Sequence, residues 1–547
     1  MDDAPAPDVD VLLADGTTAR LRPITPDDAD ALRAFHARLS QETIVLRFFG
    51  PHPRLSDTEV ARFTHVDGTD RVALVAERGG ELVAVARYDR SPGSDEAEVA
   101  FVVDDRFQGR GLGTILLEHL AAAARPRGVR RFVADTLSEN HRMLRVFRDA
   151  GFARQFSRDS EVMRVVLDIA PSAAARIAAD ERDRLAVLHS MQRLLRPSSV
   201  AVIGASPRPG TVGHRLVANL LDAAFTGPVY PVHPEASSVA GVPAWPTVEE
   251  VPGPVDLAVV AVPAEAVPAV VAACGRKGVG GLVVVSAGFA ETGEEGEALQ
   301  RRVVRDAHAL GMRMVGPNCF GVLNTDPGVS LNATLAPEPA VAGTVGFASQ
   351  SGGLAVAILA EAATRGLGLS SFVSLGNKAD VSGNDTLVWF EDDPATAVVL
   401  LYLESFGNPR RFSRIARRVS RVKPVLAVKS GRSASGARGA TSHTAAPAGS
   451  DEAVDALLRA TGVVRVDTIE ELFEAASVLA LQPLPRGDRV AVLGNVGGPG
   501  VLGADACIGH GLAVPELSAR TQSALAAHLG PGAGVTNPVD LGAAATP

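Results

Sequence analysis

From Val200 onward the chain repeats one pattern, a short apolar run followed by a helical stretch, and this alternation limits the fold more than any other feature. The runs lie at 200–204, 229–232, 257–262, 282–285 and 312–316. Each is too short for a helix and apolar on both faces, which suits a strand covered on both sides. Strands that alternate with helices make parallel sheets, because parallel neighbours need a crossover between them. The alternation restarts at 343–348, 370–374, 397–402 and 425–428, which predicts a second doubly wound sheet. A third starts at 489–493 and runs into Gly494-Asn495-Val496-Gly497-Gly498-Pro499-Gly500, with about sixty residues left. That unit is expected to be incomplete.

Upstream the pattern changes. Strands are expected at 72–76, 81–88, 98–103 and 131–136, and helices at 27–39, 113–125 and 141–150, an α+β arrangement. Residues 170–194, rich in Ala and Arg, read as a polar helical connector. The domains expected are 1–169, the connector 170–194, then 195–328, 329–482 and 483–547, an α/β multidomain chain. The 547 residues allow several domains, and 46% apolar with 21% charged residues gives material for their cores and excludes general disorder.

A net charge of −9 argues against nucleic acid or an anionic membrane as partner. No apolar run approaches the ~20 residues needed to span a bilayer. The acidic, Pro-containing start lacks the features of a secretory signal. Cys274, Cys319 and Cys507 are far apart and in no metal-ligand spacing, so a reducing cytoplasm fits and no metal is expected.

In the first region Gln108-Gly109-Arg110-Gly111-Leu112-Gly113 joins a strand to a helix. Glycines let a ligand approach the backbone, and amides at a helix N-terminus attract a pyrophosphate. Ten residues earlier Glu98 lies on an apolar strand, where a carboxylate can take the proton that an amine loses before attacking a thioester.

In the second region the strand entering Gly204-Ala205-Ser206-Pro207-Arg208 ends in a phosphate-type turn, but the spacing is not GxGxxG, which weakens a dinucleotide reading. Gly316-Pro317-Asn318-Cys319 and Ser286-Ala287-Gly288-Phe289 follow strands at the carboxyl edge, where such sheets bind ligands; Cys319 has no base at fixed spacing and reads as packing. Gln350-Ser351-Gly352-Gly353 occupies a strand-to-helix turn that lacks the first glycine of a hydrolase elbow. His443, in Thr441-Ser442-His443-Thr444-Ala445-Ala446, is a loop histidine among small residues, open to a phosphate.

Residues 108–113, with Arg20-Leu21-Arg22-Pro23 upstream and Asn140, Gly151 and Phe152 downstream, resemble the acyl-CoA loop and flanks of the GNAT N-acetyltransferases over about 11–168. The resemblance implies that Glu98 is the general base, and that Gln108, Gly109, Arg110, Gly111, Leu112, Gly113 and Asn140 serve acetyl-CoA. Phe147 stands where many relatives have a tyrosine as acid for the thiolate, and CoA thiol is acidic enough to leave unassisted.

From about Leu195 the chain is similar to the NDP-forming acyl-CoA synthetases and the succinyl-CoA synthetase α chain, through VAVIGAS, GPVYPVHPE, SAGFAETG, GPNCFG, SQSGGLA, YLESF, SHTAA and NPVDL. This implies a Rossmann-like CoA-binding domain with Gly204, Ser206 and Arg208 near CoA phosphates, then flavodoxin-like domains. It also implies a phosphohistidine at His443 and a supporting carboxylate at Glu404. Ala445 replaces the family's usual glycine. The ATP-grasp domain that phosphorylates the histidine is not in the sequence, so ATP enters only if such a domain is supplied elsewhere. Together the two parts resemble Pat-type protein lysine acetyltransferases. That implies a protein substrate with an acceptor lysine, such as an acyl-CoA synthetase, and a region that senses CoA or acyl-CoA. The alternatives are a ligase subunit working through His443 and a sensor without catalysis.

Overall fold

The computed structural model describes residues 8–431, 451–530, 532–543 and 545. Contacts divide the chain into two compact units, 1–480 and 481–547.

The first part of the larger unit is built on β1 (Val9–Leu12), β2 (Thr18–Pro23), β3 (Arg71–Arg78), β4 (Glu81–Asp89), β5 (Glu96–Val103), β6 (Arg131–Leu137), β7 (Ala153–Asp159) and β8 (Val162–Asp168). Among the described residues they form one sheet in the order β1-β2-β3-β4-β5-β6-β8-β7. Helices α1 (Ala29–Arg38), α2 (Gln41–Phe48) and α3 (Asp57–Thr64) precede β3, and α4 (Leu112–Ala124) and α5 (His141–Asp149) flank β6 in sequence. On α4, Leu112, Leu116, Leu117, Leu120 and Ala124 recur at helical spacing and are fully buried against the sheet.

Helix α6 (Ala173–Leu195) covers the expected connector, but only its first half is a polar link. Val187, Leu188, Met191, Leu194 and Leu195 form an apolar stripe that joins the core of the following domains. The residues between these positions, His189, Ser190, Gln192 and Arg193, are polar, and the sequence shows the apolar spacing but not the core that it joins.

The next domain contains β9 (Val200–Ile203), α7 (Val212–Asp222), β10 (Val229–Val232), the short pair β11 (Ser238–Val239) and β12 (Val242–Pro243), β13 (Leu257–Val260), α8 (Val267–Lys277), β14 (Gly281–Val284), α9 (Glu294–Ala309) and β15 (Arg313–Val315). Its main sheet runs β10-β9-β13-β14-β15, all parallel. Val200, Val202, Leu257, Val259 and Val283 face one core, while Ala201, Ile203, Ala258, Val260, Leu282 and Val284 face another. This is the two-sided burial that short apolar runs require.

The third domain contains β16 (Gly321–Asn324), β17 (Leu331–Thr334), β18 (Ala342–Ser349), α10 (Gly352–Thr364), β19 (Leu369–Ser374), α11 (Gly383–Asp392), β20 (Val398–Leu403), α12 (Pro409–Val419), β21 (Val425–Lys429), α13 (Asp451–Thr461), β22 (Val464–Val466) and α14 (Ile469–Leu481). Its sheet runs β17-β16-β19-β18-β20-β21-β22, with β16 and β17 as an antiparallel extension that the apolar pattern does not signal. In the smaller unit, β23 (Leu493–Gly494) pairs with β24 (Val539–Asp540), and α15 (Gly497–Gly509) and α16 (Ala519–His528) lie between them in sequence. The strand expected at 489–493 is therefore confined to its end. Among the described residues no helix is long and apolar enough to cross a membrane.

Candidate functional site

The first site forms where the sheet opens. β5 pairs with β4 from Glu98 to Val103, but with its parallel neighbour β6 only at Glu96–Arg131, Ala97–Phe132 and Glu98–Val133. Beyond Glu98 the two strands part, and among the described residues no strand pairs with β5 on that side. Alternation sends Ala97, Val99, Phe101 and Val103 to the α4 and α5 core. Glu98, Ala100 and Val102 share the other face, where Val102 joins Phe35 of α1 and Leu39 just after it. Glu98 is exposed. Its charge acts on Arg87 and on Arg47, which burial and Arg87 push down to about 10 against the attraction of Glu98 and Asp89.

Residues 108–113 follow β5 and lead into α4. Gly109 and Gly111 take φ of 77° and 81°, conformations that disfavour a side chain, and Gly111 is the N-cap of α4. Among the described residues the amides of Gly109, Arg110 and Gly111 donate to no protein acceptor. With the first amides of α4, they present a row of donors at the positive end of a helix. Around Gly109 the space a β-carbon would occupy is open, whereas at Gly113 Val146 Cγ2 lies 3.3 Å from that position. Gln108 Nε2 donates to Val103 O at 3.1 Å and its carbonyl accepts from Arg142, which fixes the start of the turn. Arg110 Nη1 bonds Asp15 Oδ2 at 2.9 Å, and its guanidinium lies 5.0 Å from the Phe107 ring centre. Asn140 accepts from Met143 N at 3.0 Å and so caps α5. Phe147 is buried edge-on to Phe101, ring centres 6.3 Å apart.

The second site is the turn after β9. Gly204, at φ 88°, places its carbonyl against α7: a β-carbon on Gly213 would come 2.0 Å from Gly204 O. Ser206 Oγ accepts from Arg208 N at 3.2 Å, and Arg208 is exposed. Cys319 lies beneath this sheet's edge, donating to Val284 O at 3.3 Å, and burial pushes its thiol up to about 12, far from a nucleophile's range.

The third site lies at the carboxyl edge of the third sheet. Gln350 Oε1 accepts from Glu404 N at 2.8 Å and Ser405 N at 2.9 Å, while its Nε2 donates to Ser405 O at 2.7 Å. Lys378 Nζ donates to Ser405 O at 3.2 Å and also to Ser405 Oγ. Burial pushes Lys378 down to about 8 against the pull of Glu404, and Lys429 pushes it the same way. Ser351 caps α10 beside them. His443 lies outside the described residues. Gln350, Lys378 and Lys429 were not assigned to this site from sequence: two of the chain's four lysines meet near Glu404, but their separation along the chain hides it. Among the described residues no group of three His, Cys, Asp or Glu side chains could hold a metal.

Known proteins match the same three regions. Residues 40–152 match the acetyltransferase (GNAT) family, 198–325 a CoA binding domain, and 342–479 the succinyl-CoA ligase like flavodoxin domain. The ADP-forming acetate–CoA ligase I of Archaeoglobus fulgidus is 43% identical over 64% of this chain and 50% of its own length. The α subunit of the corresponding Pyrococcus furiosus enzyme is 40% identical over 64% of this chain and 76% of its length. An acetyltransferase of Pseudomonas aeruginosa is 30% identical over 27% of this chain and 81% of its own. The dinucleotide-forming acetyl-coenzyme A synthetase 1 of Candidatus Korarchaeum cryptofilum, solved with phosphate and ADP, superposes with a TM-score of 0.62 at 39% identity, covering 65% of this chain and 76% of that one. The chain thus spans about half the length of some of its relatives and three-quarters of others. Its N-terminal part belongs to the GNAT acetyltransferases, and from residue 198 to 479 it carries the CoA-binding and flavodoxin-like domains of the NDP-forming acyl-CoA synthetase α chains.

Proposed function

We propose that this protein is an acetyl-CoA-dependent N-acetyltransferase that modifies protein lysines, those of acyl-CoA synthetases among them, under control of its CoA-binding region. The observation that carries the reading is the parting of β5 from β6 at Glu98 and Val133, next to the free amides of Gly109, Arg110 and Gly111. The turn amides and the α4 dipole hold the pyrophosphate, and the pantetheine extends along the unpaired edge of β5 toward Glu98. Glu98, on the α1 and α2 face, takes the proton of the incoming ammonium, directly or through a water. An amine with a pKa near ~10.4 needs this at neutral pH. The neutral amine attacks the thioester carbonyl, the C–S bond breaks and CoA leaves as thiolate, with Phe147 offering no proton; the second proton of the attacking nitrogen passes to water or to the departing thiolate as the amide forms. The three free cysteines accord with a reducing cytoplasm.

A second reading is favoured by one observation, the Lys378 and Glu404 cluster: the synthetase-like part handles a phosphoryl group through His443, with ATP chemistry coming from an ATP-grasp domain or partner. A sensor that binds CoA without transferring acetyl is the third.

The experiment is transfer of labelled acetyl from acetyl-CoA to an acyl-CoA synthetase without ATP, wild type against Glu98→Gln. Label on lysine that the substitution abolishes supports the acetyltransferase. Intact CoA binding without label favours the other two readings.

A further inference from the structure

A cavity of about 650 Å³ lies against the backbone of Gly109 and Arg110. At Gly109 the position of a β-carbon has nothing within 4 Å of it. Its opposite wall does not belong to the acetyltransferase domain: it is formed by His189 and Arg193 of α6, by Arg196, and by Gly278 and Gly280 of the CoA-binding domain. The volume lies within the ~300–1,000 Å³ usual for small-molecule sites.

The charges around it are unequally matched. Arg110 is paired with Asp15, Arg196 with Asp326, and the lining carboxylate Asp256 accepts from Ser198 N at 2.8 Å. Among the described residues Arg193 has no ion-pair or hydrogen-bond partner. Arg78, Arg110 and Arg193 all lie close enough to Asp15 to act on one another or on it. Three guanidiniums act around Asp15, and of those that line the cavity Arg193 is the one that no carboxylate pairs among the described residues, so it can take an incoming anion.

The turn gives this charge a direction. Acetyl-CoA held by its pyrophosphate at 108–113, with its pantetheine in the β5–β6 opening, must send its nucleotide away from that opening. We propose that the cavity receives the 3′-phosphorylated adenosine end of acetyl-CoA and that Arg193 binds the 3′-phosphate, so that the connector helix completes the acyl-donor site from outside the acetyltransferase domain. The proposal rests on the reading of 108–113 as the acetyl-CoA turn. A planar guanidinium binds a phosphate monoester through two parallel N–H groups, and Arg193 is the side chain free to do so.

The test uses the full chain and hydrogen exchange of the peptide containing 108–113, which reports this site separately from the CoA-binding domain. Acetyl-CoA and 3′-dephospho-acetyl-CoA are titrated against wild type, Arg193→Ala and Arg193→Lys. Wild type should need about tenfold more of the dephospho compound for half protection. Arg193→Ala should bind acetyl-CoA about tenfold more weakly and lose the preference, and Arg193→Lys should keep part of it. Equal protection of wild type by both compounds, or an undiminished preference in Arg193→Ala, overturns the proposal. No protection of wild type by acetyl-CoA would overturn the acetyl-CoA reading itself, a separate result.

Discussion

Asp10, on the first strand of the acetyltransferase sheet, lies 2.7 Å from Nδ1 of His308, on the last helix of the CoA-binding domain. Nε2 of the same ring is 3.2 Å from Asp380 of the third domain, off the direction of a good hydrogen bond. Burial alone would lower the His308 pKa, but Asp380 and Asp10 outweigh it and raise the pKa to about 9. A raised folded-state pKa means that the contribution is fully present below the unfolded value near ~6.5 and is lost as pH rises through about 9. Thermal unfolding of the full chain should therefore show stability falling between these pH values by on the order of 3 kcal/mol. His308→Gln should flatten that slope.

Replacing Glu98 by glutamine keeps the shape of the side chain and removes its basicity. Turnover should fall about a hundredfold or more, with acetyl-CoA affinity little changed. A pH profile of acetyl transfer by both proteins checks this, and unchanged turnover across the profile would remove Glu98 from its role.

Phe147→Tyr would place a hydroxyl where the buried ring packs on Phe101. If thiolate departs without help, turnover stays as it is, while the uncompensated hydroxyl costs ~1–2 kcal/mol of stability. Paired rate and denaturant measurements separate the two effects. A marked gain in turnover would instead show that proton donation limits the native enzyme.

Gly213 and Gly353 offer a contrast between close approach and open space. A β-carbon at Gly213 would meet the backbone of Gly204 and Ala205, which cannot give way as a side-chain tip can. Gly213→Ala should destabilise by more than about 3 kcal/mol and weaken CoA binding. Gly353, in α10, has nothing within 4 Å of that position, so Gly353→Ala should be neutral or stabilising by ~0.5–1 kcal/mol. Melting curves of both variants decide.

The parts of this structure that a linear reading reaches are those where neighbours in sequence act together. The 108–113 turn is one, since its glycines, the strand before and the helix after are contiguous. The parallel strands are another, because burial on both faces makes each an unbroken apolar run. β16 and β17 escape that logic: Asn324, Asn332 and Thr334 are buried within them, satisfied by Leu195 O and by one another, and so interrupt the apolar signal. The Lys378 cluster escapes it for a different reason. Gln350, Lys378, Glu404 and Lys429 lie on four separate strand ends that only the sheet order brings to one edge. His308 and Arg193 read as ordinary helix-surface residues until the domains close around them.

Helix α6 also settles how motion can pass between the acetyltransferase and the rest of the larger unit. Its last two turns are anchored in a neighbouring hydrophobic core. It therefore works as a rigid axle and not a tether, and any rotation of the acetyltransferase about it must turn buried side chains with it. In solution the two parts should tumble with one correlation time, and any movement of the CoA-binding domain would reach the 108–113 turn as torque on a packed shaft.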